Sequence, residues 1–344
     1  SDRMGYRHQT YRKRPSRGKL AVLVLCAALV YAGVLAGVRL VGGRLEAVEA
    51  AEPMGSLAGR FSSGELTLQY AGRALRYRER ALTNVLLIGV DWTEQAQRAS
   101  ARYDGQADFL LLLSFDREKK TVASLQLDRD TMTPIRIYGP FGDYAGVRTA
   151  QLCLSYAYGD SAAENRENAV WAASKLLGGV PIDAAVALDM DSIALLNDAL
   201  GGVTVTLEED FSALDPAMTP GTTLTLQGKQ AEYFVRGRMG VGEGTNAARM
   251  RRQRVFMQQA EVLLSQRLNE DMNFAGALLD ALSGHMTTDA QRGWLINLAY
   301  ASRAYTRLDT AALAGSHAVG ADGFMEFHAD QDALDSLLAS LFFE

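Results

Sequence analysis

The chain has 344 residues, with 35 Lys and Arg against 40 Asp and Glu, enough length for one large domain with a sizeable core. Seven of those cations (Arg3, Arg7, Arg12, Lys13, Arg14, Arg17, Lys19) and one acid, Asp2, lie in the first 19 residues, so the net −5 minus that segment's +6 leaves −11 on the remainder. An acidic body argues against nucleic acid as a partner, and two cysteines and four scattered histidines argue against a disulfide framework, a His-rich zinc site or a Ser/His/Asp arrangement.

In chain order, residues 1–19 form a basic tail, followed by Leu20 to Val38, a run of 19 residues without a charge that Arg39 closes. At about 1.5 Å per helical residue the run just spans a bilayer core. A cleaved signal peptide has a shorter apolar region and an A-x-A-like site, and no such site precedes Arg44. The segment 20–41 is therefore read as an uncleaved transmembrane helix, with the tail cytoplasmic and everything after Arg39 outside. Cys26 lies within the apolar run and Cys153 stands alone in the body, so no disulfide forms within the domain. An exported domain of this size without one fits a bacterial cell surface.

Residues 42–80 read as a stalk, with a possible short strand at Glu65 to Tyr70, and 81–344 as the main domain. Asn84–Val90, Phe109–Ser114 and Thr121–Leu127 read as strands bounded by polar turns. Ala163 to Leu177 has apolar residues at helical spacing and stops at Gly178-Gly179. Ala184–Leu188 reads as a strand, Met190–Leu200 as a helix and Val203–Leu207 as a further strand. A turn and helix follow over Leu226–Val235, then a long helix over Thr245–Asn269 with its arginines near the start. Residues 270–344 read as a mainly helical part with a final strand at Gly323–His328. The alternation predicts an α/β (α+β-type) sandwich with a central mixed β-sheet flanked by helices.

The chemistry-bearing residues sit at element ends. Asp91 ends the first core strand and Asp108 opens the next; two carboxylates plus phosphate oxygens suffice for Mg2+, while turn capping is the ordinary use of such acids. Asp128-Arg129-Asp130 follows the third strand, placing an arginine between two acids, either as a positioned phosphate ligand or as a surface ion pair. Arg236 and Arg238 point to one side of an extended or turn segment. Arg249, Arg252 and Gln253 share one face of a helix start, where the dipole favours an anion. Arg251, Arg254 and Arg267 read as solvated. The bend at Gly240, Gly242 and Gly244 is not a P-loop, because no Gly-Lys-Ser/Thr follows.

Several segments resemble one family. Asn84–Asp91 resembles the N-[IV]-L-L-[IL]-G-x-D opening of the LytR-CpsA-Psr family, Leu127–Met132 its P-R-D-T-M, and Ser155–Gly159 its A-Y-A-Y-G. Asp198–Val203 is similar to D-A-L-G-G-V, Leu226–Arg238 to L-x-G-x-x-A-L-x-[YF]-[VA]-R-x-R, and Arg249–Gln253 to R-x-x-R-Q. These six run in order from Asn84 to about Leu264. The resemblance implies a membrane-anchored phosphotransferase of a Gram-positive-type cell membrane. Its reaction would move a glycopolymer, such as teichoic acid or capsule, from a polyprenyl diphosphate carrier to a peptidoglycan hydroxyl. With water as acceptor the same site would act as a diphosphatase. It further implies Mg2+ (or Mn2+) at Asp91 and Asp108, with Arg129, Arg236, Arg238, Arg249 and Gln253 lining the diphosphate. Arg252 joins the expected substrate ligands from its place on the helix face. Arg129, Asp130, Arg236 and Arg238 are the candidate catalytic residues, Asp130 as base or arginine orienter.

The chain departs from the pattern at Trp92-Thr93 for S-R, Gln106-Ala107 for R-S, Gln151-Leu152-Cys153 for K-I-N, and Asn246 for an acid. Arg98, Arg102 and Arg148 are candidates for the displaced charge. The losses keep open a second reading, a non-catalytic binder or regulator of lipid-linked glycans. A surface receptor without a phosphate ligand is a third.

Overall fold

The computed structural model of the chain describes residues 66–91, 105–237, 241, 244–271, 274–291, 294, 298, 301, 302 and 305–344. The tail, the apolar run at 20–41, the stalk to residue 65, Arg98, Arg102 and Arg238 lie outside these. Among the described residues no helix is long and apolar enough to cross a membrane.

A hairpin of β1 (Thr67–Tyr70) and β2 (Arg73–Arg76) leads into β3 (Leu82–Val90), β4 (Ala107–Asp116) and β5 (Thr121–Leu127). These three pair antiparallel in that order, with Leu87 opposite Leu111 and Leu112 opposite Leu125. β6 (Met132–Tyr138) and β7 (Tyr144–Gln151) form a separate hairpin, followed by α1 (Ala162–Leu176). β8 (Ala184–Asp189) lies parallel to β3, so the central sheet is mixed. After it come α2 (Asp191–Ala199), the β9 (Thr204–Thr206) and β10 (Thr223–Thr225) hairpin, α3 (Lys229–Arg236), α4 (Asn246–Glu270) and α5 (Phe274–Leu282). β11 (Met286–Thr288) edges the sheet beside β8, while β12 (Thr306–Arg307) and β13 (Ala311–Ala312) run parallel along β5. The hairpin β14 (Gly315–Val319) and β15 (Met325–Ala329) precedes α6 (Gln331–Phe342).

The alternation along β3 and β4 sorts the core into two layers. Val85, Leu87, Leu111 and Leu113 face Leu196 of α2, Phe234 of α3 and Phe256 of α4. Leu86, Ile88, Leu110 and Leu112 face Trp171 of α1 and Leu334 and Leu338 of α6. With both faces covered, the strands read as continuous apolar runs, and each fully buried Leu or Ile contributes about 1.5–3 kcal/mol. Asn84 sits within the core because Tyr77 Oη and the Pro181 carbonyl accept from its Nδ2 at 2.9 and 2.7 Å.

Helix ends follow local chemistry. Ser161 caps α1 by accepting from Glu164 N at 3.1 Å. Gly178 and Gly179 close it at φ +69° and +95°, with Gly179 N donating to Ser174 O at 2.8 Å. The β6–β7 hairpin was not expected from sequence. After α5, β15 falls on the final strand expected at Gly323–His328, while its partner β14 and the short strands β11, β12 and β13 were not expected.

Candidate functional site

Four strand ends meet at one edge of the sheet, a placement that open α/β sheets commonly use for ligands. β4 runs antiparallel to β3, so Ala107, next to Asp108, lies opposite Val90, next to Asp91. β5 ends with Leu127 opposite Leu110, which delivers the Asp128–Thr131 turn to the same place. β8 ends with Asp189 beside Val90. Above this edge sits the start of α4, capped by Thr245 Oγ1 accepting from Ala248 N at 3.1 Å.

Asp108 is the hub. It is 8% exposed, Arg129 Nη1 lies 2.5 Å from its Oδ1, and Arg249 Nη1 lies 3.4 Å from its Oδ2. The Oδ1 contact is a charge contact rather than an aligned hydrogen bond. Arg129 Nη2 donates to Gln106 Oε1 at 2.6 Å and Cys153 Sγ at 3.0 Å, and its Nε lies 3.6 Å from Asp130 Oδ1. Burial pushes the Cys153 thiol up to about 11, so at neutral pH it meets Arg129 uncharged.

Two departures from the family pattern therefore hold Arg129. A glutamine at 106 accepts from the guanidinium where an arginine would repel it. A further departure, Asn246, donates from Nδ2 to Asp128 Oδ1 at 2.6 Å and accepts from Arg249 Nη2 at 2.6 Å. An ionised acid at 246 has no proton for Asp128.

Asp91 closes the arrangement. Its Oδ1 accepts from Gln106 N at 2.5 Å, and burial together with the neighbouring Asp108 carboxylate raises it to about 6. Asp91 and Asp108 are the two desolvated carboxylates here with the chemistry to hold a hard divalent cation, which would take the place at Asp108 Oδ1 that the Arg129 guanidinium faces in this structure. Asp189, Asp191 and His285 form a second group whose ligand atoms lie within 4.8 Å of one another. There His285 Nδ1 lies 2.8 Å from Asp189 Oδ2, and Asp189 Oδ1 accepts from Ser192 N at 3.1 Å, a side-chain hydrogen bond and a helix-start contact.

The remaining expected residues are placed differently from one another. Arg236 is one-third exposed, pairs with Glu232 at 2.8 Å, and lines a cavity with Asp108, Arg249 and Gln253. Arg252 departs from the expectation of a substrate ligand. Its Nε donates to Phe234 O and its Nη1 to Glu209 Oε1, both at 2.7 Å; Nη2 donates to Gly237 O; and the guanidinium lies over Phe211. Its donors tie α4 to the end of α3, and it does not line the cavity. Helical spacing alone placed it with Arg249, because i and i+3 share a face only approximately.

The cavity wall is otherwise mostly apolar, with Phe109, Ile193, Leu196, Phe256 and Met257. His317 was missed from sequence. From β14 its Nε2 lies 2.8 Å from Asp128 Oδ2, and that bond raises its pKa against the opposing effect of burial. No short motif flags a histidine 189 residues from its carboxylate.

Comparison with known proteins agrees with the resemblance. A family model described as the LytR_cpsA_psr family matches residues 61–342. Polyisoprenyl-teichoic acid–peptidoglycan teichoic acid transferase TagU of Halalkalibacterium halodurans is 28% identical over 60% of this chain and 61% of its own length. Biofilm regulatory protein A of Streptococcus mutans is 25% identical over 60% of this chain and 50% of its own. Cell wall biosynthesis protein LcpA of Corynebacterium glutamicum is 27% identical over 68% and 50%. The chain thus matches between half and about three-fifths of the length of these relatives. Among solved structures, gbs0355 of Streptococcus agalactiae superposes with TM-score 0.59 at 22% identity, over 76% of this chain and 88% of that one. TagT bound to LI-WTA gives 0.55 at 20% identity, over 81% and 96%. These two share the fold.

Proposed function

The chain belongs to the LytR-CpsA-Psr family, and we propose that it transfers a cell-wall glycopolymer from a polyprenyl diphosphate carrier to a peptidoglycan hydroxyl at the outer face of the cell membrane. The observation that carries this reading is the meeting of Arg129, Arg249 and Asp108 beside an apolar cavity. A diphosphate needs fixed cations, and its isoprenoid tail needs an apolar wall, which Ile193, Leu196, Phe256 and Met257 supply. The name of TagU describes a transfer of this kind.

Asp91 and Asp108 would hold Mg2+ or Mn2+, which when bound neutralises phosphoryl charge. Arg129, Arg236 and Arg249, with Arg238, would line the phosphoryl oxygens, and Gln253 would add a polar contact. Charge that spreads over those oxygens meets guanidinia already oriented, so little reorganisation remains at the moment of reaction. Asp130 orients Arg129 from 3.6 Å and receives the proton of the attacking hydroxyl. The acceptor oxygen bonds to the phosphorus proximal to the sugar, and polyprenyl phosphate leaves with the electron pair of the broken P–O bond. Residues 1–41 would anchor the chain.

The test follows polyprenyl phosphate release by the full chain from a short-chain polyprenyl diphosphate sugar, with and without Mg2+. Metal-dependent release that is lost in Asp108→Ala and Arg129→Ala is expected. Tight binding without release would replace this reading with that of a lipid-glycan binder.

A further inference from the structure

A second cleft shares no lining residue with the apolar cavity. The two meet at Arg129: its Nη1 contacts Asp108, which lines the first, while its own side chain and Asp130 line the second. Resting on the transferase reading above, we propose that the second cleft binds the acceptor, an oligosaccharide that presents a free hydroxyl to the Arg129–Asp130 turn from the side away from the lipid.

Displacement at phosphorus places the attacking and leaving oxygens roughly in line. An isoprenoid leaving group in the apolar cavity therefore requires an acceptor route that enters elsewhere. Two disjoint clefts joined at one guanidinium satisfy that requirement, and a single cavity does not.

The wall chemistry selects the class of ligand. Tyr158 and the 69% exposed Phe324 offer rings to the apolar face of a pyranose. Asp322 and Glu326 accept from hydroxyls, and Arg148, with no ion pair among the described residues, donates to acyl oxygens. A second lipid tail would desolvate these charged groups, of which Arg148 and Asp322 have no ion pair among the described residues.

The wall is also fixed to the reacting turn. Phe327 N donates to Asp130 O at 2.8 Å, and Gln151 Nε2 donates to Met325 O at 3.1 Å, so the β14–β15 hairpin is bound to the segment that carries Arg129. An acceptor held by Phe324 is thereby held at a set distance from Asp130. The hydroxyl oxygen forms the new O–P bond, its proton passes to the Asp130 carboxylate and then to solvent, and the polyprenyl phosphate departs through the other cavity.

The test uses the full chain, soluble uncrosslinked peptidoglycan glycan strands as acceptor, and the variants Phe324→Ala and Arg148→Ala. Binding of the strands is read by titration, and the ratio of glycan-linked product to hydrolysis product is read by chromatography. Each variant is expected to weaken glycan binding and lower that ratio by about tenfold, the size of one lost contact. With a long-chain carrier as donor, Ile193→Trp, which narrows the lipid cavity, is expected to lower both products together and keep the ratio. No glycan binding by the parent chain, or an unchanged affinity or ratio in both variants, would overturn the proposal. Release to water without added glycan reports the donor side alone. Absence of both water release and glycan-linked product would sink the transferase reading, while strand binding lost in the variants would still establish the cleft as a glycan site.

Discussion

Arg129 Nη1 lies 2.5 Å from Asp108 Oδ1, and the opposite oxygen of the same carboxylate faces Arg249 Nη1 at 3.4 Å. One buried acid therefore orients two guanidinia, one from the turn after β5 and one from the first turns of α4. Removing it leaves both cations without their shared counter-charge. Asp108→Ala is expected to lose about 3 kcal/mol of stability as well as turnover, whereas Arg129→Lys loses mainly turnover, on the order of 100-fold. Chemical denaturation and carrier-release rates separate the two, and an Asp108→Ala chain as stable as the parent would remove Asp108 from the hub.

Asp91 should trade stability for function. Its folded pKa is raised from 3.8 to about 6, so the folded state holds its proton more tightly than the unfolded chain does. Without a divalent cation, its ionisation lowers stability as pH rises from about 4 to 6, and the cost stays constant above that. Asp91→Asn is expected to be roughly 1–3 kcal/mol more stable than the metal-free parent at pH 7, with the gain vanishing near pH 4. The variant should also lose Mg2+-dependent release. A melting difference that does not change with pH would refute the assignment.

Arg252 is expected to behave as a structural residue. Its guanidinium is bonded to Glu209 and to two carbonyls at the end of α3. Arg252→Ala should cost about 3 kcal/mol, while the folded fraction keeps most of its turnover. Arg236→Ala, at a one-third exposed position, should show the reverse pattern. If the Arg252 variant keeps its melting temperature and loses turnover, the roles drawn here are exchanged.

His317 should give a pH-dependent contribution. Its bond to Asp128 raises its folded pKa above 6.5, so the contact stabilises fully below about pH 6.5 and is lost as pH rises through the folded value. The melting temperature of His317→Gln should fall further below that of the parent at about pH 5.5 than at about pH 9. Equal differences at both would show that the imidazole charge plays no part.

The apolar cavity should discriminate by lipid length. Ile193 lines it, and a tryptophan there removes volume that a long isoprenoid needs. Ile193→Trp is expected to raise KM for a long-chain carrier at least about tenfold while changing a short-chain carrier little. A uniform loss across chain lengths would point to distortion of the site instead.

Much of the central sheet was legible because β3, β4 and β5 are covered on both faces and so appear as apolar runs with polar ends. α1 and α4 were legible from periodicity, caps and the Gly178-Gly179 stop. The β6–β7 hairpin escaped because its strands are only half buried, and their residues carry no strong alternation. His317 escaped because its partner is distant along the chain. Arg252 was grouped with Arg249 because helical spacing gives a shared side of the helix but not which neighbour each side chain meets.

The sequence by itself determined the family, the mixed sheet and the set of acids and arginines, since these are written in local patterns of hydrophobicity, turns and motif spacing. Only the tertiary structure decided which arginine holds the fold and which faces the cavity, and how Gln106, Cys153 and Asn246 accommodate Arg129 and Arg249. Those outcomes depend on hydrogen-bond directions and burial set by strand register and by helix docking. Neither is a property of any one segment.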